Sequence, residues 1–178
     1  SSMATEAPVD PVDAFKNSGK MVFDQYNIDA MQKLYKREPK YRANIVLPAQ
    51  TIKSKRYYKD ANIKIVDEGG LLKVWEEPNN EILKVRNRYL VAVDIGGRSV
   101  NSDYSVMTVI DRMGMIESIG GVPRVVARWR GHVRHDILAW MAAALAWWYD
   151  GAELVIESNT ADRNRNSNTE GDHFGTII

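Results

Sequence analysis

Two apolar runs in this chain end in a carboxylate, a pattern suited to holding a cation. Tyr89-Leu90-Val91-Ala92-Val93 runs into Asp94, and Leu154-Val155-Ile156 runs into Glu157. A third acid, Asp103, stands just ahead of the apolar stretch Ser105 to Ile110. Carboxylates in a chain without cysteine favour an oxygen-ligated ion such as Mg²⁺ or Mn²⁺ over zinc. Two such ions about 3.5–4 Å apart activate a water and stabilise the leaving oxygen in phosphodiester hydrolysis. Strands also end in Asp or Glu simply where the chain meets solvent, so the acids have a plain structural explanation as well. The histidines offer less. His132 and His135 are expected far from Asp94 and His173 in a terminal loop, all three structural or solvated. No Ser-His-Asp triad is suggested.

Elements must bring those acids together. Tyr89 to Asp94 is a near-continuous apolar run, which predicts a central strand buried on both faces. Ser105 to Ile110 and Val125 to Arg130 predict a second and a third strand. Ile137, Trp140, Met141, Ala144, Leu145 and Trp148 form one apolar helical face, so a helix is predicted over 137–149. Asp136 would cap it, Asp150-Gly151 would end it, and its tryptophans would be core. Leu154 to Glu157 is then the fourth strand. Short connections make the first three an antiparallel meander. A right-handed helical crossover returns the fourth parallel to the first. If those two are neighbours, Asp94 and Glu157 lie side by side at strand ends about 4.8 Å apart, with Asp103 close by.

Upstream, Ile63 to Val66 and Leu71 to Trp75 flank Asp67-Glu68-Gly69-Gly70 and predict a β-hairpin. A short helix is expected over Ile28 to Lys36, capped by Asn27 and stopped by Pro39. Residues 1–20 read as a flexible lead and 41–60 as a linker, so 1–60 are expected to precede a folded domain over 61–178. The chain's 178 residues carry a formal net charge of only +1, yet that balance is uneven. Between Met31 and Lys59, Lys33, Lys36, Arg37, Lys40, Arg42, Lys53, Lys55, Arg56 and Lys59 face a single acid, Glu38, with four tyrosines interleaved. Such a segment is either a solvated basic face or a nucleic-acid contact. Lys53, Lys55 and Arg56, with Arg98 near the acids, are the candidate DNA contacts. The absence of cysteine excludes disulfides, thiolate zinc sites and cysteine nucleophiles. No apolar run is long enough to span a bilayer and no signal peptide opens the chain, so neither a membrane nor a secreted role is expected.

Several of these pieces, taken in order, resemble the nuclease domain of phage terminase large subunits. They are Trp75-Glu76-Glu77-Pro78, Tyr89 to Asp94, Asp103-Tyr104-Ser105-Val106 and Val126 to His132, followed by the helix ending Trp148-Tyr149 and Leu154 to Asn159. Phe15 to Asp24 is similar to the stretch joining that family's ATPase to its nuclease. The resemblance implies an α/β, ribonuclease H-like mixed sheet: antiparallel first three strands, a fourth parallel to the first, a flanking helix, and a β-hairpin and basic linker ahead. It implies a metal-dependent endonuclease that cuts concatemeric viral DNA, with Asp94 and Glu157 as catalytic metal ligands and Asp103 as an auxiliary one. Mg²⁺ or Mn²⁺ would be the cofactor. Implied partners are double-stranded DNA, an N-terminal ATPase domain, the portal and the small terminase subunit, in the cytoplasm of the bacterial host at the procapsid portal.

The chain departs from the family at three places. Ile95-Gly96-Gly97 stands where a Pro and a small residue usually follow the first Asp. Ser158-Asn159-Thr160 stands where Arg-Asn-Asn is common. The family's third acidic ligand comes from well beyond the fourth strand, and neither Asp162 nor Asp172 matches it, so a partial domain, inactive by itself, is expected. Two other classes fit some residues. Asp94-Ile95-Gly96-Gly97 is similar to the first phosphate loop of sugar kinases in the actin-like ATPase superfamily, with Arg98 in place of the expected threonine. A non-catalytic DNA- or portal-docking module would need the acids only as strand ends.

Overall fold

The computed structural model describes residues 24–49, 57–79, 85–96, 103–118 and 120–157. Two compact units divide the chain between Glu38 and Pro39. The first contributes helix α1, Gln25–Tyr35, whose N-terminus is capped by Asp24 rather than Asn27. The Asp24 carboxylate accepts from the Tyr26 N–H at 2.7 Å and the Asn27 N–H at 3.4 Å, so the helix starts earlier than its apolar spacing suggests.

The second unit is a seven-stranded mixed sheet. In chain order it has β1 (Tyr41–Val46), a 3₁₀ turn (Tyr57–Asp60), β2 (Asn62–Val66), β3 (Leu72–Val74), β4 (Tyr89–Asp94) and β5 (Ser105–Asp111). Helix α2 (Met113–Glu117), β6 (Arg124–Gly131), α3 (His135–Trp148) and β7 (Glu153–Ile156) follow. The spatial order is β2-β1-β3-β6-β5-β4-β7. β6, β5 and β4 form the expected antiparallel meander, and β7 returns through α3 to lie parallel to β4. This is the mixed α/β sheet expected from the sequence, three antiparallel strands and a fourth parallel to the first.

The upstream part differs from expectation. β2 and β3 do not pair as a hairpin; β1 lies between them and pairs with both. The Asp67–Gly70 turn carries the chain across the β1 backbone. A Cβ on Gly70 would stand 2.8 Å from the Ala43 nitrogen, so only glycine allows that passage. Residues 41–46 are therefore sheet, not linker. Their alternation is real, with Ala43 and Ile45 buried, but flanking cations obscure it in the sequence.

One sheet face packs on α3. Leu72, Val74, Val91, Val93, Met107, Val109, Ala127 and Trp129 meet Leu138, Met141, Ala142 and Leu145 in a single buried cluster. Asp136 does not cap α3: Arg134 occupies the cap position without a side-chain bond, and Asp136 pairs with its guanidinium at 2.9 Å. Of the helix tryptophans, only the half-buried Trp148 packs against the core. Alanines face the sheet, allowing close approach, while Trp147 is 48% exposed. Trp140 and Trp147 instead meet Tyr57 and Tyr58 of the 3₁₀ turn edge-on, at 5.4 and 6.1 Å between ring centroids. β4 buries only alternate residues, Tyr89, Val91 and Val93, because its other face is less covered than a two-sided strand would be. Among the described residues, no helix is long and apolar enough to cross a membrane.

Candidate functional site

Register decides where the acids fall. β4 and β7 pair in parallel with Val93 opposite Ile156, and the Glu157 N–H donates to the Val93 carbonyl at 3.0 Å. The next residue on each strand is an acid, so Asp94 and Glu157 stand side by side at the carboxyl ends of neighbouring strands. Loss of hydration, a hydrogen bond with the Glu157 carboxyl, and the charges of Glu157 and Asp103 together raise the Asp94 carboxyl above the usual carboxylate range. The end of β4, the approach to β5 and the exit from β7 thus bring Glu157 and Asp103 to act on Asp94 at one end of the sheet. Among the described residues, however, no group of three or more His, Cys, Asp or Glu side chains is arranged to hold a metal. Asp103 contributes charge without completing a three-ligand cage.

The acids open onto a groove of about 420 Å³ lined by Ala92, Val106, Thr108 and Val155 along with both carboxylates. Just past Asp94 the chain is held tightly. The Gly96 N–H donates to the buried Ser105 hydroxyl at 3.0 Å. A Cβ on Gly96 would come within 2.3 Å of the Asp103 carbonyl oxygen and the Tyr104 carbonyl carbon, so this glycine is what lets Asp103 approach Asp94. With its N–H committed to Ser105, Gly96 does not present that donor to a nucleotide phosphate, against the kinase-loop alternative.

The histidines are placed differently from expectation. β6 runs antiparallel to β5, so its carboxyl end returns to the Asp94 end of the sheet. His135 is 3% exposed, and its Nε2 lies 3.1 Å from the Gly96 carbonyl oxygen. His132 stacks on Tyr104 at 4.2 Å, and the Arg130 guanidinium covers the same ring at 3.8 Å. The antiparallel meander itself requires this return, which brings the β6 exit back beside the start of β5. Of the expected DNA contacts, Lys53, Lys55, Arg56 and Arg98 lie outside the described residues, as do Asp162, Asp172 and His173. A larger cavity of about 710 Å³, elsewhere in the unit, is lined by Lys59, Glu77 and Trp147 among others. Its charges are matched: Lys40 pairs with Glu77 at 3.0 Å, and Lys59 sits 3.9 Å from the Trp147 ring centroid.

No family model matches this chain, and no curated protein matches it. Two solved structures are similar to it in part. One is the large terminase nuclease from thermophilic phage G20c with bound zinc, at 19% identity, TM-score 0.39, 52% of this chain and 44% of that one. The other is the large terminase nuclease from the same phage, at 17% identity, TM-score 0.37, 55% of this chain and 44% of that one. The chain spans less than half the length of either.

Proposed function

We propose that this chain is a metal-dependent endonuclease domain, or part of one, from a phage or prophage DNA-packaging terminase, and that it cuts double-stranded DNA by phosphodiester hydrolysis. The observation that carries this reading is the parallel β4–β7 register, which sets Asp94 beside Glu157, whose carboxyl helps raise that of Asp94. Two carboxylates held that close fit a hard divalent ion, because such an ion relieves their repulsion. Asp94 and Glu157 would hold Mg²⁺ or Mn²⁺, with Asp103 adding attraction for the cation. When bound, the ion supplies charge neutralisation at a phosphodiester and makes water a better nucleophile at neutral pH.

The chain's own part is placement. β4 and β7 are adjacent strands of one ladder, so neither carboxylate depends on a loop for its position. Gly96 and His135 tie down the segment leaving Asp94, and the groove beside the acids is shallow enough for a backbone phosphate to reach them. Lys53, Lys55, Arg56 and Arg98 are proposed to contact DNA. An ATPase domain, the portal and the small terminase subunit are proposed partners at the procapsid in the host cytoplasm.

The test is nicking of supercoiled plasmid in Mg²⁺ or Mn²⁺, by this chain and by any longer protein that contains it. Loss of a residue that merely supports a metal ligand costs about 10–100-fold, so Asp94→Ala, which removes a ligand itself, is expected to cost more than about 100-fold. Cleavage that survives Asp94→Ala refutes the site assignment.

A further inference from the structure

The sheet face turned away from α3 is divided by charge. Arg42 on β1 pairs in register with Lys73 on β3, and Lys73 with Arg128 on β6. Neighbours in register project to the same face, so these three cations form a row across three strands. Arg130 extends the row along β6, two residues on and again on that face. None of the four forms an ion pair among the described residues; the cations that do are Lys40, Arg88, Arg112, Arg124 and Arg134. The acids of this face lie on the far side, at Asp94, Glu153 and Glu157, and Glu153 is already paired with Arg112 at 3.2 Å. Between the halves runs β5, neutral here: Arg130 is in register with Val106, and Val106 with Asp94. Two strand spacings, about 10 Å, therefore separate the end of the cationic row from the acid pair.

Like charges set directly opposite one another weaken a sheet unless an anion covers them. We propose that Arg42, Lys73, Arg128 and Arg130 bind the phosphate backbone of duplex DNA laid across this open face, in a path that leads to Asp94 and Glu157. Three of the four carry guanidinium forks, which match phosphate oxygens in pairs. The row measures about 10 Å across the strands and about 7 Å more along β6. Duplex DNA carries one charge per about 1.7 Å of axis, so a surface of that size meets several phosphates. Tyr104, 44% exposed and in contact with both Arg130 and His132, gives the path an aromatic border beside Asp103. The row stands on its own geometry; only the destination of the duplex rests on the nuclease reading.

The experiment is fluorescence anisotropy with a labelled duplex in EDTA, titrated over a series of salt concentrations. Each phosphate contact contributes about 0.9 to the slope of log K against log salt. The combined variant R42Q/K73Q/R128Q/R130Q is therefore expected to flatten that slope by about 3–4, equally for unrelated sequences. Arg128→Gln alone should flatten it by about 1 and Arg128→Lys should restore most of it; both change an exposed side chain outside the core. Arg86→Gln, in the turn before β4, should change little. An unchanged slope in the combined variant overturns the proposal. So does tighter, row-dependent binding of polyglutamate that the duplex cannot displace, because the face would then take an acidic protein. Because binding is read without divalent ions, the two readings fail separately. Row-dependent binding without Asp94-dependent nicking sinks the nuclease, and the reverse sinks the row.

Discussion

The two ends of β4 hold acids in opposite circumstances. At its start, Asp111 of the neighbouring strand is 2% exposed and takes both arms of the Arg88 guanidinium, at 3.0 and 2.7 Å, plus the Met113 N–H at 2.8 Å. Burial works to raise that carboxyl, but the bonds from Arg88 and Met113 outweigh it and hold it below the usual range. At its finish, Asp94 is exposed and faces Glu157 and Asp103, and is held above the usual range. One end spends its acid on the fold. The other gathers acids whose charges act on Asp94, the circumstance expected of a binding site.

Removing charge should therefore have opposite consequences at the two ends. Asp111→Asn strands a buried guanidinium and is expected to cost about 3–5 kcal/mol in urea denaturation, while Asp94→Asn should leave stability equal or higher. If both variants are equally destabilised, the contrast between the ends is lost. Gly96→Ala comes next. Its Cβ must displace the Asp103–Tyr104 backbone, a strain expected to cost about 1–3 kcal/mol. It should also weaken Mn²⁺ binding by calorimetry, because Asp103 is moved. Wild-type affinity in that variant would remove Asp103 from the site.

Acid titration separates the ends by sign. The Asp111 contribution is complete above the unfolded aspartate pKa, about 3.9, and is lost as pH falls through its lower folded value. Asp94 behaves oppositely: folding binds its proton more tightly, so its contribution diminishes as pH rises from about 3.9 through its higher folded value. Comparing thermal melts of wild type and Asp94→Asn across that window should show the wild type losing stability relative to the variant as pH rises. Parallel curves would contradict a raised Asp94 carboxyl. The smallest effect belongs to the pair Arg112–Glu153, beside the buried one but with Glu153 52% exposed. Glu153→Gln should cost less than about 1 kcal/mol, which tests whether burial rather than pairing gives Asp111 its weight.

The acid pair was legible in the residues because a strand ending in an acid reports both a position and a direction. The helical crossover then admits one handedness for the return. The same reasoning failed upstream, where Asp67-Glu68-Gly69-Gly70 is a sound turn signal but a turn does not say which strand pairs with which. Tyr41–Val46 was hidden because Arg42 and Asn44 face outward, and their polarity, read along the chain, resembles that of a linker. On α3 the tryptophans dominate the apolar count, yet close packing on a sheet favours the small residues between them.

The sequence by itself determined the strands around the acids, their direction, and the chemistry available at their ends, since each follows from local alternation and the geometry of one crossover. Only the tertiary structure decided that β1 enters between β2 and β3, that His135 reaches the loop after Asp94, and that Arg42, Lys73 and Arg128 stand in one row. Those depend on the register between strands far apart in the chain. Register is set by the whole buried face at once, because a slip of one residue turns every side chain to the other side.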